Sequence, residues 1–122
     1  MTTAYFTHPD CRGHDMGAGH PECPQRLDAI EDHLLATGLD IALTRMDPPL
    51  ARHEDLMLAH SERYLLELDE FLRQAVETGE HRALDPDTTV CPGTRQAMLR
   101  SAGAAVAATD AVIDGRAVNA FC

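Results

Sequence analysis

Histidine and cysteine side chains are concentrated near the start of this 122-residue sequence. Within the span 8–23 they occupy five positions: His8, Cys11, His14, His20 and Cys23. Imidazole nitrogens and thiolates are the ligands that structural zinc prefers. Their spacing fits no standard zinc finger, so we expect these residues to shape a loop and not to bind a metal, although a structural metal stays open as the alternative.

The same histidines belong to a glycine-rich loop that ends where a helix begins. Gly17 and Gly19 permit backbone angles closed to other residues, and Pro24 suits the first turn of a helix. From His14 to Leu27 the loop has His-Asp, two glycines and then His-Pro-Glu-x-Pro-x-Arg-Leu. This pattern resembles the N-terminal signature of the histone deacetylase and acetylpolyamine amidohydrolase family. The resemblance covers essentially the whole chain and corresponds to the N-terminal third of the family domain.

The resemblance implies a fold and an activity. The fold is α/β, with three layers in which helices cover both faces of a parallel sheet, as in arginases and deacetylases. The activity is removal of acetyl groups from an acetyl-lysine peptide, acetylpolyamine or similar small amide. The family uses one zinc ion, held by two aspartates and a histidine, beside a histidine pair that acts as general base.

The family places these catalytic groups after the part that is matched here. We therefore expect residues 1–122 to be the N-terminal part of a single deacetylase domain, with the catalytic portion absent. The chain alone should contain no catalytic residue, bind no zinc and be inactive.

The resemblance also assigns roles to individual residues. Arg26 matches the family arginine that lines a channel beneath the active site, where a guanidinium fork suits departing acetate. Asp87 falls where the family has a rim aspartate that accepts hydrogen bonds from the substrate backbone, with Asp85 as the rival. The other signature residues are assigned to the active-site loop: His14, Asp15, His20 and Glu22. The plainer alternatives are an ion pair of Arg26 with Glu22 or Asp15, and a turn role for Asp87.

Composition and charge limit the partners. Ten basic and twenty acidic side chains give a formal charge of −10, which disfavours nucleic-acid binding because that needs a basic patch. No apolar run approaches the roughly 20 residues of a membrane span, and the first residues lack signal-peptide features. We therefore expect a cytoplasmic protein with no membrane or nucleic-acid partner, and its cysteines should be thiols.

Apolar periodicity predicts about three strands and three to four helices. The predicted strands are Thr3–Thr7, Ile41–Met46 and Ala117–Cys122. The predicted helices run from Pro24 to Gly38, from His53 to His60, from Ser61 to about Thr78, and from Arg95 to about Asp114. Ser61 and Thr94 are the expected N-caps, Glu80–Gly93 is expected to be a loop, and His60 to be a packed, hydrogen-bonded histidine.

The family fold places the first strand between the other two, which leaves Ala117–Cys122 at the edge of the small sheet. Unpaired amides and carbonyls on an edge strand invite pairing with another chain. We therefore expect the chain to self-associate through this strand, or to pair there with the rest of its enzyme. A different class of function also stays open, in which the chain is a non-catalytic folding or partner-binding module.

Overall fold

A parallel three-stranded sheet forms the centre of the structure. The computed structural model describes residues 2–122, and its sheet contains β1 (Thr3–Phe6), β2 (Leu43–Met46) and β5 (Asn119–Phe121). The order is β2-β1-β5 and both pairings are parallel, with Thr3 opposite Leu43 on one side and Asn119 on the other. The predicted parallel α/β architecture and the central place of the first strand are therefore confirmed.

Within residues 2–122, four α-helices and a separate hairpin complete the fold. The helices are α1 (Gln25–Thr37), α2 (His53–Leu56), α3 (Glu62–Thr78) and α4 (Thr94–Ile113). Strands β3 (Arg82–Asp85) and β4 (Thr88–Val90) form an antiparallel hairpin. Two short 3-10 helices lie over Pro9–Gly13 and Leu39–Ala42. Among the described residues, no helix is both long and apolar enough to cross a bilayer.

Helix α4 covers one face of the sheet through small side chains. One buried cluster joins α4 to β1: Ala104, Ala108, Ala111, Ala4 and Phe6. On another side of α4, a Cβ on Gly103 would lie 1.9 Å from the carbonyl oxygen of Pro49, so only glycine allows that approach. The small-residue stretch of α4 therefore does what its sequence predicts, which is to let the helix lie close to its neighbours.

Polar contacts join β1 to β2 and to α1. The Tyr5 hydroxyl donates to Glu31 at 2.8 Å, and the Arg45 guanidinium binds both oxygens of the same carboxylate, at 3.2 and 2.7 Å. Burial raises the pKa of the Tyr5 hydroxyl, with a further contribution from Glu31. The hydrogen bond from Arg45 holds the pKa of Glu31 below its usual range. Helix α1 is thereby fixed to the sheet by a charged network.

We expect Glu31→Gln to lower the free energy of unfolding by about 1 kcal/mol at pH 7, a small value because Arg45 is 41% exposed to screening solvent. A depressed pKa means that the folded state prefers the charged carboxylate, so this contribution is present at neutral pH. It is lost as the pH falls through the folded-state pKa of Glu31. Urea unfolding across this range should show the two proteins converging in acid. Glu67→Gln, in an exposed pair on α3, is the control and should have little effect.

Helix α3 and the hairpin share a second core. Leu72 and Ala75 of α3 are buried against Val90 of β4. The N-cap prediction for α3 is confirmed, since the Ser61 hydroxyl accepts from the Tyr64 amide at 3.2 Å. The prediction of a loop over 80–93 was wrong, because two strands of four and three residues lie within it. Strands this short become ordered by packing on α3, which local sequence does not reveal.

Several smaller expectations need correction. Strand β2 begins at Leu43 and not at Ile41, because Leu39–Ala42 forms a 3-10 turn that leaves Ile41 91% exposed. Strand β5 is limited to Asn119–Phe121. His60 is exposed and lies against the Tyr64 ring, with 5.1 Å between the ring centroids, so the prediction of a packed, hydrogen-bonded histidine was wrong.

Strand β5 lies at one edge of the sheet, and self-association through this edge stays a prediction. The Phe121 ring stacks on Tyr5 at 5.5 Å between centroids and is still 48% exposed. Light scattering over a dilution series should show a dimer or larger species for the chain. Phe121→Asp should shift it toward monomer, because an edge charge opposes strand pairing. A wild-type chain that stays monomeric at every concentration contradicts this prediction.

Candidate functional site

The signature loop (His14–Leu27) lies along the β3–β4 hairpin and the start of α4. The contact that leads into it is between two glycines, Gly13 and Gly93. A Cβ on Gly93 would lie 2.2 Å from the carbonyl oxygen of Gly13. The Cys91 thiol donates to the same carbonyl at 3.1 Å. The backbone that leads into the loop is therefore in direct contact with Cys91 and Gly93, just before α4.

The second contact explains why Thr94 is not the N-cap that the sequence predicted. Gly93 occupies the N-cap position of α4, with no side-chain cap. The Thr94 hydroxyl instead accepts the amide hydrogen of Cys91 at 2.8 Å and lies 2.8 Å from Nδ1 of His14. Thr94 is 6% exposed, so this hydroxyl is a buried polar group that joins the loop to α4. The other His14 nitrogen, Nε2, is 3.8 Å from a Glu22 carboxylate oxygen.

Asp15 and Met16 form the middle of the contact. The Asp15 carboxylate accepts the Gly17 amide at 2.7 Å, while its backbone carbonyl accepts from Nε2 of His81 at 3.0 Å. The Met16 sulfur accepts the amide hydrogen of Thr89 at 3.4 Å. These hydrogen bonds from His81 and Thr89 order the glycine-rich loop beside the hairpin. The loop does not become another strand of that sheet.

The hairpin tip separates the two rival aspartates. The Asp85 carboxylate accepts the backbone amide of Asp87 at 2.8 Å, which closes the tight turn between β3 and β4. The Asp87 carboxylate lies 3.2 Å from Nε2 of His20, and its side chain is 92% exposed. Asp85 therefore has a turn role, and Asp87 is the carboxylate presented to solvent beside the signature loop.

Arg26 lies in the first turn of α1 and lines a cavity of about 540 Å³. The alternative of an ion pair with Glu22 or Asp15 is not what the structure shows, because within the described residues neither carboxylate pairs with Arg26; Glu22 lies 3.8 Å from His14 and Asp15 accepts from Gly17. The N-terminal ends of α1 and α4 both reach this cavity, and their partial positive charges favour an anion there. The other polar or ionisable lining residues are Thr7, His14, Glu22, Thr94, Ser101, Cys11, Cys23 and Cys122.

The histidine and cysteine cluster near the start of the chain does not converge. Within residues 2–122, no three His, Cys, Asp or Glu side chains meet where they could hold a metal ion. His8 accepts the Asp10 amide at 3.1 Å, while His14 and His20 contact Thr94 and Asp87. All four cysteines are free, and burial raises the pKa of the Cys11 thiol.

Sequence reasoning missed several residues that build this region. Thr94 and His81 contact the signature loop, and Cys91 contacts Gly13 just before it, each from more than 60 positions away. Nothing local predicts such partners. The one available signal is the Cys-Pro-Gly-Thr run that ends at the first residue of α4, where small and turn-forming residues allow a close backbone approach.

Comparisons with known proteins agree on one family. The family description that matches residues 20–122 is the histone deacetylase domain. A histone deacetylase-like amidohydrolase of Pseudomonas aeruginosa is 35% identical over 104 residues, which are 85% of this chain and 26% of that protein. A probable deacetylase of Archaeoglobus fulgidus is 28% identical over 123 residues, covering 99% of this chain and 33% of that protein.

A solved structure supports the fold. The crystal structure of the HDA15 HD domain has a TM-score of 0.84 and 21% identity to this chain, covering 99% of it and 34% of the other. At that identity the likeness concerns the fold. The chain thus spans between a quarter and a third of the length of these relatives.

We expect Gly93→Ala to destabilise the protein by about 1–3 kcal/mol, because the new Cβ must displace the Gly13 backbone. The backbone angle at Gly93 is φ −85°, which alanine adopts without strain, so the contact alone causes the effect. Gly13→Ala is the matched control, since its Cβ would lie 3.3 Å from Gly93 and needs only a small shift. Urea unfolding and amide exchange over residues 13–20 measure both. Equal stability of Gly93→Ala and wild type would show that the close approach is not needed.

Proposed function

This chain belongs to the histone deacetylase family, and from that we propose that it supplies the substrate rim and the product channel of an amide deacetylase. We propose that it is the N-terminal part of a single deacetylase domain. The observation that carries the proposal is the exposed Asp87 carboxylate at the hairpin tip, held beside the signature loop by His20. A cytoplasmic location also stays a prediction.

The proposed reaction is hydrolysis of an acetyl-amide, such as acetyl-lysine in a peptide or an acetylpolyamine. The names of the two relatives, an amidohydrolase and a probable deacetylase, support this class of reaction. In such enzymes zinc polarises the carbonyl and activates water. Residues 2–122 do not fit such an ion, because no three suitable side chains converge. The proposed roles of this chain are therefore to bind and orient, not to perform the bond cleavage.

Asp87 is proposed to hold the substrate backbone. A carboxylate offers about four acceptor positions on its two oxygens. His20 approaches Oδ1 alone, so Oδ2 remains free for amide donors of a peptide or for the nitrogen of a polyamine. Because the tight turn closed by Asp85 fixes the backbone beneath it, Asp87 can offer these positions from a defined place at the rim.

Arg26 is proposed to accept the acetate that leaves. Arg26 is one of the residues that line the cavity shared by the signature loop, α1 and α4, and a carboxylate can take two parallel hydrogen bonds from a planar guanidinium fork. The cavity of about 540 Å³ is larger than a small carboxylate requires, which leaves room for the acid and for water. Within residues 2–122 neither Glu22 nor Asp15 forms an ion pair with Arg26, although Glu22 lines the same cavity.

In a full-length enzyme that contains this chain, we expect Asp87→Ala to raise KM roughly ten- to a hundredfold with kcat little changed. A hydrogen bond to a charged group is worth about 1.5–3 kcal/mol, and each 1.4 kcal/mol is about tenfold in affinity. Asp32→Ala, on the exposed side of α1, is the matched control and should leave KM unchanged. An unchanged KM for Asp87→Ala would rule out the rim role. The same assay on the 122-residue chain alone should show no chelator-sensitive turnover.

A further inference from the structure

We propose that His20 is a positioning residue that aims the carboxylate of Asp87, through one defined tautomer of its imidazole ring. The proposal deepens the rim function proposed above and rests on it for its consequence in catalysis. Two hydrogen bonds on opposite sides of the ring carry the argument.

The first hydrogen bond determines which ring nitrogen lacks a proton. The backbone amide of Glu22 lies 3.0 Å from Nδ1 of His20. A backbone N–H can only donate, so Nδ1 must accept and carries no hydrogen. In the neutral ring the single proton therefore lies on Nε2.

The second hydrogen bond uses that proton. Nε2 lies 3.2 Å from Oδ1 of Asp87, and a carboxylate oxygen can only accept. Both contacts thus require the same neutral tautomer, with Nδ1 bound to the loop backbone and Nε2 directed at the hairpin tip. The short turn from His20 to Glu22 orients the ring, and the ring in turn orients Asp87.

The difference in exposure shows which residue positions the other. The His20 side chain is 26% exposed, whereas that of Asp87 is 92% exposed. The Asp85 contact fixes the backbone of Asp87 but not its carboxylate. Within the described residues, the side chain that contacts the Asp87 carboxylate is that of His20. An exposed side chain restricted before binding loses less conformational freedom when a ligand arrives.

Two conservative variants separate this positioning role from a purely structural one. In His20→Gln the terminal amide nitrogen can replace Nε2 as donor to Asp87, while the Nδ1 acceptor is lost. In His20→Asn the amide oxygen can replace Nδ1 as acceptor for Glu22, but the side chain is too short to reach Asp87. Positioning predicts that glutamine preserves the Asp87 geometry better than asparagine. A role confined to the loop turn predicts the reverse order.

The first measurement is NMR on the 122-residue chain. We expect the ¹⁵N shifts of neutral His20 to show a proton on Nε2, and the side-chain couplings of Asp87 to report one dominant rotamer. The couplings should become averaged in His20→Asn and return toward wild type in His20→Gln. His33→Asn, an exposed histidine of α1, is the control and should leave Asp87 unchanged. The Nδ1-protonated tautomer, averaged Asp87 couplings in wild type, or the reverse order of the two variants overturns the proposal.

The second measurement separates this inference from the proposed function. In a full-length enzyme that contains this chain, His20→Asn should raise KM roughly two- to tenfold, which corresponds to the freezing of one side chain. Its kcat should stay near wild type, and His20→Gln should recover most of the lost affinity. If the NMR results hold and neither variant changes KM, positioning stands and the rim function of Asp87 is wrong. If KM changes while Asp87 keeps one rotamer in His20→Asn, the positioning role is wrong.

Discussion

The close approach of Gly13 and Gly93 is the constraint on which the candidate site depends. It brings the loop after β1 within reach of the turn before α4, so that Cys91 and Thr94 can contact Gly13 and His14. From this point the loop passes along the hairpin, and its later contacts follow in chain order up to His20. A side chain at Gly93 would push the two backbones apart at the first of these contacts.

The contacts that hold the loop to the hairpin are made by side chains and not by a backbone ladder. Each one joins a particular pair of atoms, such as Nε2 of His81 and the Asp15 carbonyl. Because such contacts do not require an extended backbone, the loop can bend in ways that a β-strand cannot. They also place a solvent-exposed carboxylate, Asp87, at a fixed position relative to a cavity that contains Arg26.

Much of the fold was predictable because its signals are local. Ser61 caps α3, and the apolar spacing of α1 and α3 predicted both helices. The central place of β1 came from the family resemblance. The hairpin was missed because its strands owe their order to burial of Val90 against α3. Threonine is a preferred N-cap residue, which is why the sequence predicted Thr94 as the cap of α4. In the structure its hydroxyl contacts His14, a partner that only the tertiary structure provides.

The candidate site was predictable in its residue types but not in its pairings. The choice between Asp85 and Asp87 depends on which carboxylate turns back to the backbone, and two acidic residues in one tight turn look alike in sequence. The ion-pair partner of Arg26 could not be predicted either. Sequence alone does not show whether Glu22 lies nearer to Arg26 or to His14.

The strand order has a consequence for how the chain folds during synthesis. Strand β1 precedes both of its sheet partners in the chain, but it is the central strand, and its second partner, β5, comes only at residues 119–121. At translation rates of about 5–20 residues per second, roughly 6–23 s pass between β1 and β5, and β1 has at least one free edge throughout that time. During that interval the buried aromatic residues Tyr5 and Phe6 lack part of their eventual cover. The central strand of this sheet is thus made long before its second partner, and transient local contacts must cover its free edge until then.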